Sequence, residues 1–186
     1  MSDFLNKTSW EDIERGYEYE AAIFYPSDSK RPLSFFIPDA EGSTNGKILK
    51  SIGDFQPIRE DGKTYAKEQM VVMTIKPRKV VILSSNDINK NTDFEYILVA
   101  PVNTVKPHEK AKAWYDLLIK DEHPIFTYIP KGSNDRYVDL SQIASIHKSL
   151  LLKKHGEVHP ERMEVLENNL LQCLSLGIIE NDISSE

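Results

Sequence analysis

Apolar residues fall mostly in short runs separated by clusters of Pro, Gly, Asn and Asp. Glu20–Pro26 (E-A-A-I-F-Y-P), Leu33–Pro38 (L-S-F-F-I-P), Met70–Ile75, Val80–Leu83 and Tyr96–Val102 are too short for ordinary helices and rich in β-branched or aromatic residues. They predict strands. Pro124–Ile129 reads as a further strand, and Tyr137–Ile146 as a strand running into a turn. Lys76-Pro77 leaves Met70–Ile75 and Lys79–Leu83 as either two strands or one bent strand. The segments S-D-S-K-R-P and D-A-E-G-S-T-N-G-K are loops by composition, Ile48–Phe55 is a short strand or turn, and Asp61-Gly62 is a tight-turn signal.

Helical spacing appears in fewer places. Ala111, Trp114, Leu117 and Leu118 predict an amphipathic helix starting at Pro107 and running to Lys120, with Lys110, Lys112 and Asp116 outward. Met163, Leu166, Leu170 and Leu174 predict a second helix over Pro160–Leu176, with proline in its first turn and Gly177 after its last. Shorter helical pieces are expected at Thr8–Glu11, in capping-box spacing, and at Ser149–Lys154, stopped by Gly156. Together these elements predict an α+β, mainly β domain. A small, strongly bent antiparallel sheet or barrel is closed by a C-terminal helix.

The length, 186 residues, suits a single domain over 1–186. No run is long enough to span a bilayer, and the first residues lack the basic and apolar regions of a secretory signal. The lone Cys173 falls in an apolar helical pattern, so a core thiol in a reducing cytoplasm is expected. Net charge is −6, which argues against coating nucleic acid but leaves room for a local basic groove.

Several sites are excluded by spacing. His155 and His159 are separated by Gly156 and followed by Pro160, so no helix presents them together and no zinc site is expected. E-G-S-T-N-G-K lacks phosphate-loop spacing, and no G-x-S-x-G is present. The chemistry instead gathers between Lys76 and Val105. Arg78 enters one predicted strand, and Asn103 and Thr104 leave the next. If those strands pair antiparallel, a guanidinium faces an amide and a hydroxyl across roughly 5 Å, a corner suited to a phosphate.

The same stretch resembles the MazF/PemK family of toxin endoribonucleases. Arg78-Lys-Val-Val-Ile-Leu-Ser84 is similar to that family's R-P-V-V-V-I-S strand, and Ala100-Pro101-Val102-Asn103-Thr104 to its a-P-i-T-s strand end. Gln142-Ile143-Ala144-Ser145-Ile146-His147 and the tail Leu174-Ser175-Leu176-Gly177-Ile178 resemble its later landmarks. The resemblance covers about residues 68–178, leaving 1–67 as an N-terminal extension with extra strands, 179–186 as a tail, and Pro107–Lys120 as an inserted helix.

It implies a small SH3-like barrel and metal-independent cleavage of single-stranded RNA without a cofactor. The ribose 2′-oxygen would attack the adjacent phosphate, giving a 2′,3′-cyclic phosphate and a 5′-hydroxyl. It also implies a homodimer and a small acidic antitoxin partner. By the resemblance, Arg78 is the phosphate clamp and acid, with Thr104 or Asn103 beside it. Asn103 stands at the family's threonine position. Lys76, Lys79, Asn86 and Gln69 are candidate RNA-binding residues, Gln69 as a remnant of the family's G-x-E-Q loop. The competing expectation, from the missing threonine, is a catalytically inactive barrel that binds RNA or a protein.

Overall fold

The computed structural model describes residues 3–25 and 33–176. The chain divides into two compact units, one formed by residues up to 23 and from 77 onward, the other by residues 24–76. The loop expected at 27–32 and the tail from 177 lie outside the described residues.

In the larger unit a seven-stranded sheet contains β1 (Tyr17–Tyr25), β6 (Thr74–Ile82), β7 (Tyr96–Thr104), β8 (Phe126–Tyr128), β9 (Arg136–Asp139), β10 (Ala144–His147) and β11 (Leu151–Glu157). Its order is β11-β1-β6-β7-β9-β8, with β10 branching from β7. The branch exists because β7 is long. Its first half pairs with β10 (Ile97↔Ile146) and its second half with β9 (Val102↔Val138). Among the described residues no ladder joins β8 or β10 back to β11, so hydrogen bonding draws an open, branched antiparallel sheet. The α+β, mainly β class is the expected one.

Each face of the sheet carries its own core, as the two-residue period of a strand requires. Val80 and Ile82 on β6, with Ile97 and Val99 on β7, pack with Tyr19, Ala21 and Leu151 under the N-terminal segment of Phe4, Trp10 and Ile13. Val81, Leu83, Ala100 and Val138 pack on the opposite face against Leu166 and Met163 of the C-terminal helix α3 (Pro160–Cys173). Cys173 lies half-buried at the edge of this second core, consistent with the expected core thiol.

Several local expectations are corrected. Asn6, not Thr8, caps the 3-10 turn Lys7–Asp12, its side chain accepting from the Thr8 N–H at 3.1 Å. Pro107–Lys120 is not one helix but a 3-10 turn followed by α2 (Ala113–Ile119), because Lys112, at φ −88° and ψ 143°, is extended. Tyr137–Ile146 is broken by a 3-10 turn at Leu140–Gln142, which Asp139 caps through the Ser141 N–H. Ser149–Lys154 is not one short helix: Lys148–Leu150 is a 3-10 turn and Leu151 opens strand β11. Leu151 reaches Ala21 and Lys154 reaches Tyr19 in the β1–β11 ladder, and a long-range partner overrides local spacing.

The smaller unit holds two hairpins, β2 (Leu33–Pro38) with β3 (Gly46–Ser51), and β4 (Ile58–Glu60) with β5 (Lys63–Tyr65). Asp61 and Gly62 have φ of 50° and 73°, the pair of left-handed residues that a two-residue hairpin turn needs. Met70–Val72 does not extend β6. It lines the free edge of β2, the Phe36 N–H donating to Met70 O and the Val72 N–H to Ser34 O. α1 (Asn86–Lys90) follows β6, held by buried Lys148, whose Nζ donates to Ile88 O and Asn91 O.

Candidate active site at the end of β6 and β7

The β6–β7 ladder runs Ile82↔Val99, Val81↔Ala100, Val80↔Pro101 and stops. Carried two residues further, that register would set Arg78 opposite Asn103. Alternation puts both on the face of Val80 and Ile82, and Thr104 on the face of Val102. The two strand-exit residues therefore part company: the amide shares a face with the guanidinium and the hydroxyl does not. Arg78 is exposed and Asn103 half-buried. Asn103 also faces Tyr137 directly across the β7–β9 ladder. That cross-strand neighbour escaped the sequence reading, which held no signal for the β7–β9 register.

Thr104 faces Arg136, and here the other side of the sheet carries its own charged cluster. Arg136 binds Glu18 of β1 in two parallel bonds of 2.7 and 2.9 Å, and both side chains are buried. Lys131 lies 3.6 Å from the same carboxylate. Burial alone raises the Glu18 pKa. The hydrogen bonds and charge of Arg136, with the charges of Lys131 and Lys79, outweigh it and bring the pKa below the ordinary glutamate value. His155 sits in the same field. Burial, then Lys79 and Lys153, lower its pKa and keep the ring neutral near pH 7. Among the described residues, Arg136 Nε and His155 Nε2 are the buried side-chain nitrogens without a hydrogen-bond partner. Glu18 and Arg136 are 118 residues apart, so nothing local announces the pair.

The remaining candidates disperse. Lys79 follows Arg78 but points, by alternation, to the Glu18 face. Asn86 begins α1 beyond the other end of β6, where its side chain accepts from the Arg15 N–H at 2.8 Å. Arg78 to Ile82 alone spans about 13 Å of strand, so Asn86 does not join the Arg78–Asn103 corner. Gln69 and Lys76 belong to the smaller unit. The Gln69 side chain accepts from the Asp54 N–H and donates to the Asp54 carbonyl. Among the described residues no three His, Cys, Asp or Glu side chains gather as metal ligands.

The family model of PemK-like, MazF-like toxins of type II toxin-antitoxin systems matches residues 54–174, well over half of the chain. The chain belongs to this family. The PemK/MazF match takes in Arg78, Asn103 and Tyr137 and begins ahead of Glu68, where the sequence resemblance starts. Glu18 lies outside it, so the buried pair joins a residue beyond the family match to one within it.

Two solved structures are similar. An endoribonuclease in complex with its cognate antitoxin, from a mycobacterial species, is 15% identical with a TM-score of 0.48, covering 89% of this chain and 97% of that one. An endoribonuclease from a mycobacterial species is 20% identical with a TM-score of 0.40, covering 53% of this chain and 81% of that one. No curated protein matches the chain.

Proposed function

We propose that this toxin-family protein is an endoribonuclease that cuts single-stranded RNA at the Arg78–Asn103 corner without a metal. The ribose 2′-oxygen attacks the adjacent phosphorus and loses its proton to solvent. The bond from phosphorus to the 5′-oxygen breaks, and that oxygen takes up a proton, leaving a 2′,3′-cyclic phosphate and a 5′-hydroxyl. The phosphorane gathers negative charge, and a guanidinium can hold two of its oxygens at once. Arg78 donates N–H hydrogen bonds to the phosphate oxygens and, by the family resemblance, is the acid beside the departing 5′-oxygen. Asn103 donates its amide N–H to a phosphate oxygen.

What supports this reading is the β6–β7 register at Val80↔Pro101, which, continued two residues, would bring Arg78 opposite Asn103. Thr104, on the other face, serves the site through the strand and not through its hydroxyl. A homodimer, an acidic antitoxin laid along the Arg78 corner and a cytoplasmic location complete the proposal.

A second reading is favoured by one observation: Asn103 has no hydroxyl where the family carries threonine. A PemK-like domain without cleavage that binds RNA or a protein would result. One experiment separates the two. The protein, Arg78→Ala and Asn103→Ala are incubated with a mixed single-stranded RNA pool in EDTA, and the new ends are mapped. Cleavage giving 5′-hydroxyl ends is expected, reduced about 10²–10³-fold or more in each variant. RNA left intact by the unaltered protein at high concentration overturns the enzyme reading and leaves the binding module.

A further inference from the structure

We infer that Trp114 and Tyr137 form a base-stacking wall beside the Arg78–Asn103 corner, taking an unstacked base of the RNA next to the scissile phosphate. This rests on the RNA-cleaving reading and adds the contact that holds the substrate's base. Tyr137 lies directly across the ladder from Asn103, and its ring centroid is 5.6 Å from that of Trp114. Phe126 stands behind both, 4.6 Å from Tyr137 and 5.7 Å from Trp114. Trp114 thus connects to the Asn103 position through Tyr137 alone, within reach of a base whose own phosphate sits at the corner.

The cluster could simply be the core beneath α2, but its burial says otherwise. Leu118 anchors α2 and is fully buried, whereas Trp114, Tyr137 and Phe126 each remain partly open to solvent. Trp114 meets its neighbours steeply inclined, at 63–84°. The rings are not stacked face to face with it, as His123 and Phe126 are at 4.2 Å and 5°. The wall is also held rigid. His123 Nδ1 accepts from the Ile125 and Phe126 N–H groups, which pins the ring that backs Phe126. Fixed aromatic rings beside a phosphate clamp suit single-stranded RNA, whose splayed bases stack on such side chains with little regard for sequence.

The chain has two tryptophans, and Trp10 is 1% exposed beneath the N-terminal segment, so Trp114 is the one a ligand can quench. The test uses a pool of short 2′-O-methyl RNA, which cannot be cut. Binding is read by anisotropy of labelled RNA and, separately, by tryptophan emission. The unaltered protein is expected to bind with quenching. Trp114→Phe keeps most of the affinity and loses the quenching. Trp114→Ala binds roughly 5–150-fold more weakly, as expected when one stacked base is lost. In cleavage assays the alanine variant raises KM with kcat nearly unchanged, the pattern of lost binding and not lost chemistry.

Binding by anisotropy without quenching, or quenching that persists in Trp114→Phe, overturns the wall while leaving cleavage at Arg78 standing. If Trp114→Ala does not fold, the quenching of the unaltered protein and of Trp114→Phe still carries the test. No binding and no cleavage of any RNA overturns the RNA reading itself, and the wall with it.

Discussion

A one-residue step decides which side chains can act together in this protein. Asn103 and Thr104 are adjacent in the chain, yet the pleat sends one to the face of Tyr137 and the other to the face of Arg136. Charge is placed with the same selectivity elsewhere. The Asp135 carboxylate accepts from Lys110, from the Tyr128 hydroxyl at 2.6 Å and from the Tyr115 hydroxyl at 3.0 Å. The hydrogen bond from Lys110, then that from Tyr128, brings its pKa down to about 2. Burial and then Asp135 push the Tyr128 hydroxyl up to about 12, so it stays a donor. A depressed carboxylate stabilises the fold above its unfolded value, near 3.9, and the contribution fades as pH falls toward 2. Asp135→Asn is therefore expected to be less stable than the unaltered protein at pH 6 and to converge with it near pH 2. Urea unfolding across that range checks this, and a difference independent of pH contradicts it.

Among the elements, α3 is the one most clearly legible in advance, with proline in its first turn and an apolar stripe that buries Leu166. Its end is less regular. The sequence points to Gly177 as the stop, but the left-handed residue is Ser175, at φ 54°. The Leu176 N–H returns to Leu171 O at 2.8 Å and the Ser175 N–H to Gln172 O at 3.0 Å, the paired bonds of a Schellman ending. A side chain in that conformation costs about 1 kcal/mol that glycine does not incur. Ser175→Gly is expected to stabilise the protein by about that amount, seen as a higher urea midpoint at unchanged m-value. β11 teaches the converse. Its helix-like local text gives way because Leu151 finds a buried place against β1, and only the fold brings that place to it.

At the scale of the whole molecule, the charge of −6 bears on the proposed grip on RNA at the Arg78 corner. A site that grips two or three phosphates releases few counterions, so affinity for single-stranded RNA is expected to fall only about tenfold between 50 and 200 mM salt. Anisotropy titrations measure the slope, and a dependence equal to six or more contacts would require a basic track that this corner does not provide. None of the described helices is long and apolar enough to cross a membrane.

Read without coordinates, the chain already declares its short strands, the Asp61-Gly62 hairpin, the α3 stripe and the kinship of Arg78 and its neighbours with RNA-cleaving toxins. These are messages of local chemistry and of order along the chain: period two, period 3.6, turn residues and a motif in sequence. The pairing of Glu18 with Arg136, the meeting of Asn103 with Tyr137 and that of Thr104 with Arg136 belong to another kind of information. Each depends on which strands become neighbours and in what register. Burial of distant apolar residues on the two faces of one sheet sets that register, and no single segment encodes it.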